Sequence, residues 1–174
     1  MQDDEDTFFN DIWVLRFHDP YDTNWNNSSY IRISDISSIK DFWENHHYLK
    51  PLISKGMFFL MREHVYPTWD DPNNINGGCL SIKVLKEHAG DFWEDICIKL
   101  LGETLLKPEH REKWNLVNGI SVSPKKSFTI AKIWLCDDTL SDKSFFDIPM
   151  KYYGDILFKK NIDNISNDNL AKMS

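Results

Sequence analysis

Two loops of this chain set a large ring among turn residues. In "DTNWNNSS" (22–29) Trp25 stands between Asn24 and Asn26, and in "YPTWDDPNNINGG" (66–78) Trp69 directly precedes Asp70 and Asp71. Such rings are commonly half-buried packing. Two of them on separate loops could also sandwich a flat base. Stacking an aromatic ring on a base contributes about 1–3 kcal/mol, and a cationic base gains more from the ring quadrupole. A carboxylate beside one ring could accept hydrogen bonds from a guanine edge, at about 1.5–3 kcal/mol for charge-assisted bonds. Asp71 is a candidate for orienting the loop. Gly77 and Gly78 would let the chain turn into the next strand.

Other chemistry finds little support. HExxH, GxSxG, P-loop and GxGxxG patterns are absent from the sequence. In the pairs Glu63-His64, Glu87-His88 and Glu109-His110 the acid adjoins the histidine, and adjacent residues do not face each other on a helix or strand. They read as solvated surface. His46-His47 and the three cysteines, Cys79, Cys97 and Cys136, lack metal spacing. The reading is a protein without catalytic residues, metal or cofactor.

A net charge of -7 argues against a general nucleic-acid coat, whose affinity comes from neutralised phosphates. A small local basic patch is compatible with it. The odd cysteine count without CxxC suggests a reducing compartment. "MQDDEDTFF" lacks the apolar run of a signal peptide, and no apolar stretch approaches membrane-spanning length. A cytoplasmic monomer is expected.

The elements that must position the loops follow from periodicity. "IWVLRFH" (12–18) alternates as a strand, with Trp13, Leu15 and Phe17 on one face. Strands are also expected at 30–33, 56–62, 79–85 and 155–160, and a hairpin from 116–122 and 127–135. Ser38 and Asp41 have capping-box spacing before a helix at 37–47, carrying Ile39, Phe42 and Trp43. A second helix, 90–103, places Phe92, Trp93, Ile96, Leu100 and Leu101 on one stripe and stops at Gly102. Trp13 and Trp93 read as core. The segment 143–153 reads as irregular. The domain plan is an acidic tail at 1–11, one domain at 12–160 and a frayed polar tail at 161–174. The class is α+β: antiparallel strands with helices on one face.

The order "W-x-L-x-F … T-x-W … DFW … W-[ED]-D … GG … FW-E … LLGE … I-A-x-I-W", from about Phe8 to Trp134, resembles the translation initiation factor 4E family, which binds the 7-methylguanosine cap of messenger RNA. The resemblance implies a curved antiparallel sheet with helices on its convex face and a cap-binding slot on the concave side. It implies that Trp25 and Trp69 stack on the methylated base, that Asp70 stands for the family's guanine-reading Glu, and that Trp134 lies near the methyl group. The phosphate positions fall on the hairpin, with Lys125, Lys126 and Lys132 as candidates; Lys132 shares a strand face with Trp134 by the two-residue period. Lys159 and Lys160 are further candidates, in a segment (159–168) loosely matching the family's flexible loop over the cap.

A second surface implied by the resemblance is dorsal and takes a partner helix of the form Tyr-x4-Leu-Φ. Its positions map to Ile39 and Trp43 on the first helix and to Asp95, Ile98 and Gly102 on the second. Glu94 stands where the family has Leu, Phe8 and Phe9 replace its "HPL", and Arg16 and Leu80 stand at usual tryptophan positions. Two roles follow: an initiation factor recruiting a scaffold, or a cap-binding repressor that does not. A sugar-binding module or glycosidase built on Asp70 and Asp71 is the alternative from another class, though sequence neighbours rarely face each other across a bond.

Overall fold

The computed structural model describes residues 7–148 and 153–173. Seven strands, β1 (Phe8–His18), β2 (Ile31–Ser38), β3 (Met57–Arg62), β4 (Gly78–Leu85), β5 (Val117–Pro124), β6 (Phe128–Leu135) and β7 (Tyr153–Lys160), form one sheet of order β2-β1-β3-β5-β6-β4-β7. Every pairing is antiparallel. Three helices join them: α1 (Ile39–Leu49), α2 (Ala89–Leu101) and α3 (Asn161–Met173).

Strand alternation sorts side chains onto two faces. Trp13 and Leu15 of β1, Phe58 and Leu60 of β3, Leu80 and Ile82 of β4, and Ile133 and Leu135 of β6 are buried under Phe42 of α1 and Phe92, Trp93, Ile96 and Leu100 of α2. This is the main core, on the convex side. Trp13 and Trp93 are 1% and 2% exposed, as their periodic positions predict. On the concave side a smaller cluster joins Tyr30, Phe59, Met61, Val65, Cys79 and Trp134, with Met57 and Trp69 against it.

The start of α1 is the capping box expected from Ser38 and Asp41. Ser38 Oγ accepts from Asp41 N at 3.1 Å, and Asp41 Oδ2 accepts from Ser38 N at 3.0 Å. Ser37 adds bonds from N and Oγ, both 2.9 Å, to the same carboxylate oxygen. Burial opposes ionisation of Asp41, but these bonds outweigh it and hold its carboxyl below the usual range.

Several boundaries differ from the sequence reading: β2, expected at 30–33, continues to Ser38, and the helix expected from 37 starts at Ile39. β1 starts at Phe8, so the expected tail end at residue 11 lies inside a strand; Phe8 pairs with Ser38 and Ile39 N donates to Thr7 O. The expected polar tail at 161–174 is instead α3, which follows β7 directly, begins at the fully buried Asn161 and takes the place of the expected flexible loop. Residues Pro108–Leu116, unassigned by periodicity, form a 3-10 helix that places Trp114 beside Trp13, centroids 6.4 Å apart. Of the expected irregular segment, 143–145 is a 3-10 turn and Leu106 bridges Phe146, while 149–152 lie outside the described residues.

Candidate functional site

The Trp25 loop is built from short acids and amides. Asp19 Oδ1 accepts from Tyr21 N (2.9 Å), Asp22 Oδ1 from Asn24 N (2.8 Å) and Asn24 Oδ1 from Asn26 N (2.9 Å). Each closes a local turn two residues ahead, which is what Asp and Asn do best. The chain then runs into Tyr30, leaving Trp25 51% exposed.

The Trp69 loop is fixed from inside. Asp71 Oδ2 accepts from Tyr66 N (3.1 Å), and Asp71 Oδ1 accepts from Asn73 N (2.8 Å) and Asn73 Nδ2 (3.0 Å). The fully buried Asn74 donates from Nδ2 to Tyr66 O (2.8 Å) and Thr68 O (2.9 Å). Asn118 of β5 donates to Asn73 O and Asn74 Oδ1, and Asn161 of α3 donates to Asn74 O at 2.9 Å. Asp71 therefore orients the loop, as expected, and is committed to it. Asp70 is exposed and makes no hydrogen bond or ion pair among the described residues. The two acids have separated roles, which removes the paired-carboxylate arrangement a glycosidase would need. Gly77 and Gly78 are needed for close approach rather than for a turn: a Cβ at either would collide with backbone, Leu135 O and Lys159 O respectively.

The two loops meet around Tyr30. Its ring contacts Trp25 (centroids 6.5 Å) and Phe59 (5.3 Å, edge-on), and it belongs to the concave cluster against which Trp69 packs. Burial first, and the negative charge of Asp70 second, push its phenol up to about 12, so it stays a neutral donor. Trp134 lies in the floor of this cluster, 3% exposed, donating from Nε1 to Ser121 Oγ at 2.9 Å.

Strand register decides among the lysines. Lys132 pairs with Ser81 and Ser121 and lies on the concave face, two residues from Trp134, with Nζ 5.9 Å from the Trp69 ring centroid. Desolvation lowers its pKa, and the charges of Lys125 and Lys159 lower it further. No carboxylate pairs with it among the described residues. Lys125 and Lys159 are exposed, and Lys159 pairs with Cys79 on the same face. Lys126 is exposed at the hairpin tip. Lys160 points to the other face and pairs with Asp138 at 3.4 Å, so it is not brought to the site.

On the dorsal side Ile39, Trp43 and Ile98 are 42%, 45% and 45% exposed, with Asp95 half-buried and Gly102 exposed at the end of α2. Of the two residues replacing "HPL", Phe9 packs on the core and Phe8 stays 68% exposed. Glu94 is committed to α1: its Oε2 accepts from His46 Nε2 at 2.8 Å and from Lys50 Nζ at 3.0 Å. Burial opposes its ionisation, and the bonds from Lys50 and His46 outweigh burial and lower its pKa. His46 Nδ1 is buried and has no hydrogen-bond partner among the described residues. Desolvation lowers the His46 pKa, Glu94 counteracts, and Lys50 adds to the lowering.

Sequence reasoning missed several supporting residues: His18, Tyr30, Asn74, Asn118 and Asn161. The density of Asn around both loops was the available signal. Arg16, at a position noted only as a departure, is 3% exposed, stacks over Tyr66 at 4.4 Å and so supports the second loop from β1. Among the described residues no cluster could hold a metal ion, and no helix is long and apolar enough to cross a membrane.

The family model for Eukaryotic initiation factor 4E matches residues 8–166. A eukaryotic translation initiation factor NCBP of Triticum aestivum is 34% identical over 106 residues, covering 59% of this chain and 43% of that protein. Eukaryotic translation initiation factor 4E of Candida albicans is 27% identical over 143 residues, covering 75% and 66%. The chain spans less than half the length of the Triticum relative. Among solved structures, C. elegans eIF4E-3 with the 4E-binding protein Mextli and cap analog aligns with a TM-score of 0.75 at 18% identity, covering 92% of this chain and 96% of that one. A schistosome eIF4E complexed with m7GpppA and 4E-BP aligns at 0.66 and 20%, covering 77% and 74%. At these identities the structures establish a common fold. With the family model spanning both strand faces and both tryptophan loops, the chain belongs to the eukaryotic initiation factor 4E family.

Proposed function

We propose that this protein binds the 7-methylguanosine cap of messenger RNA and acts in translation initiation, without catalysis. The observation that carries the reading is the convergence of the two tryptophan loops on Tyr30, beside Lys132, which has no carboxylate partner among the described residues. Trp25 and Trp69 stack on the methylated base, each ring contributing about 1–3 kcal/mol. The fixed positive charge of the base adds attraction to the ring faces. Asp70, which makes no side-chain hydrogen bond or ion pair among the described residues, accepts from the guanine edge; it is one methylene shorter than Glu, so the base sits closer to the loop. Trp134 supports the pocket from its floor near the methyl group. Lys132 takes the phosphates with Lys125 and Lys159 beside it, and Lys126 reaches a longer phosphate chain from the hairpin tip.

On the dorsal side, Ile39, Trp43, Asp95, Ile98 and Gly102 take a Tyr-x4-Leu-Φ helix from a scaffold or a repressor. One observation favours the second role, a cap-binding repressor that does not recruit the scaffold. Glu94 presents a paired carboxylate where an apolar contact would otherwise form.

Tryptophan fluorescence during titration with 7-methyl-GTP, and in parallel with GTP, tests the cap reading. Strong quenching by the methylated nucleotide and little by GTP is expected, with at least tenfold loss of affinity in Trp69→Ala. Equal responses to both nucleotides, or unchanged affinity in Trp69→Ala, would overturn it.

A further inference from the structure

Directly behind Trp25 lies His18, the last residue of β1. It is fully buried, and its imidazole stacks on the Trp25 ring with centroids 4.0 Å apart and planes 3° from parallel. Tyr30 covers another side, at 4.9 Å. Both ring nitrogens face main-chain oxygens: Nδ1 is 2.8 Å from Asp19 O and Nε2 is 2.7 Å from Asn24 O. Those two carbonyls bracket the loop that ends at Trp25.

Carbonyl oxygens only accept, so the imidazole holds the loop by donating an N–H to a main-chain oxygen at its end.

We propose that His18 is the positioning residue of the Trp25 loop: its imidazole sits between Asp19 O and Asn24 O, holds the two ends of the loop to β1 and backs the Trp25 ring. The inference deepens the cap-binding reading and rests on it for the role of Trp25. A flat ring without nitrogens in its place would free the loop ends and loosen the wall behind Trp25.

The test begins with the ligand-free protein. Trp25 should give a single sharp indole signal in the wild type and a broadened or split one in His18→Phe, which keeps a flat ring and loses the ties to the main chain. The second measurement compares 7-methyl-GTP affinity of the two proteins, and His18→Phe should bind about tenfold more weakly. An unchanged Trp25 signal in His18→Phe, or an affinity within about twofold of wild type, would overturn the proposal. A loosened Trp25 signal in His18→Phe, with no response of either protein to 7-methyl-GTP, would support the positioning role and defeat the cap reading instead.

Discussion

Replacing Lys132 by Met tests the phosphate side of the site and separates two effects of one charge. In the free protein this ammonium is half-buried on the concave face. Desolvation disfavours its charged form, Cys79 counteracts, the positive charges of Lys125 and Lys159 add to the lowering, and among the described residues no carboxylate compensates. Removing such a charge while keeping the aliphatic length should stabilise the free fold, by about 1 kcal/mol, because an uncompensated cation costs free energy that an apolar side chain does not. Phosphate binding reverses the balance. A charge-assisted bond contributes about 1.5–3 kcal/mol, so the same substitution should weaken 7-methyl-GTP binding by about 10- to 150-fold. The nucleoside 7-methylguanosine has no phosphate and should lose less than about twofold. Fluorescence titration with both ligands, together with a urea unfolding curve of the free protein, reads all three quantities. Equal losses for nucleotide and nucleoside would mean that Lys132 shapes the base pocket instead. A lower unfolding midpoint in Lys132→Met would refute the claim that its charge is uncompensated.

Trp43→Ala should abolish capture of a Tyr-x4-Leu-Φ peptide, a loss above about 2 kcal/mol for a central aromatic contact, while sparing 7-methyl-GTP binding; joint loss in a pull-down and a titration would indicate a folding role. Glu94→Leu should strengthen that peptide's binding if the carboxylate is what excludes it, and isothermal titration calorimetry would read the change. Asn161→Ala removes one of two bonds to Asn74 O, the other coming from Gly77 N, and should cost about 0.5–1.5 kcal/mol in urea unfolding, with faster hydrogen exchange across residues 66–77. The His46 pKa is lower in the folded protein than the ordinary 6.5. The unfolded chain therefore takes up its proton first as pH falls, and stability is lost below about that pH. The free energy of unfolding of wild type minus that of His46→Leu should accordingly fall between pH 7.5 and pH 5.5; a constant difference would contradict the direction of the shift.

Much of the fold was legible because local chemistry and burial agree. Alternation in 12–18 marks β1, the Ser38–Asp41 spacing marks the start of α1, and the apolar stripe through Phe92, Trp93 and Ile96 marks α2. Where they disagree, the sequence misleads. "NIDNISNDNLAKM" is polar and reads as a frayed tail, yet Asn161 is buried and α3 grows from it. "PEHREKWNL" has no helical period because its turns are 3-10. For the candidate site, the rings and acids stood out by their setting on polar loops. Which lysine faces which way needed the register: Lys159 and Lys160 differ by one position and lie on opposite faces. His18 was hidden for a different reason. It ends a strand, and only the return of the chain at Asn24 gives its second nitrogen a partner.

The sheet order has a consequence for how the protein comes into being. β3 and β4 are consecutive along the chain, but β5 and β6 lie between them. With neighbouring strands about 4.8 Å apart, the segment carrying Trp69 must bridge about 14 Å across strands that have yet to be synthesised when it leaves the ribosome. Asn118 of β5 and Asn161 of α3 then fasten that segment from later parts of the chain. The slot is thus closed by non-local pairings, which form slowly. A nascent chain has no ligand-competent form until its last strand and the first turn of α3 are in place, and a ligand that binds the slot stabilises only the finished sheet.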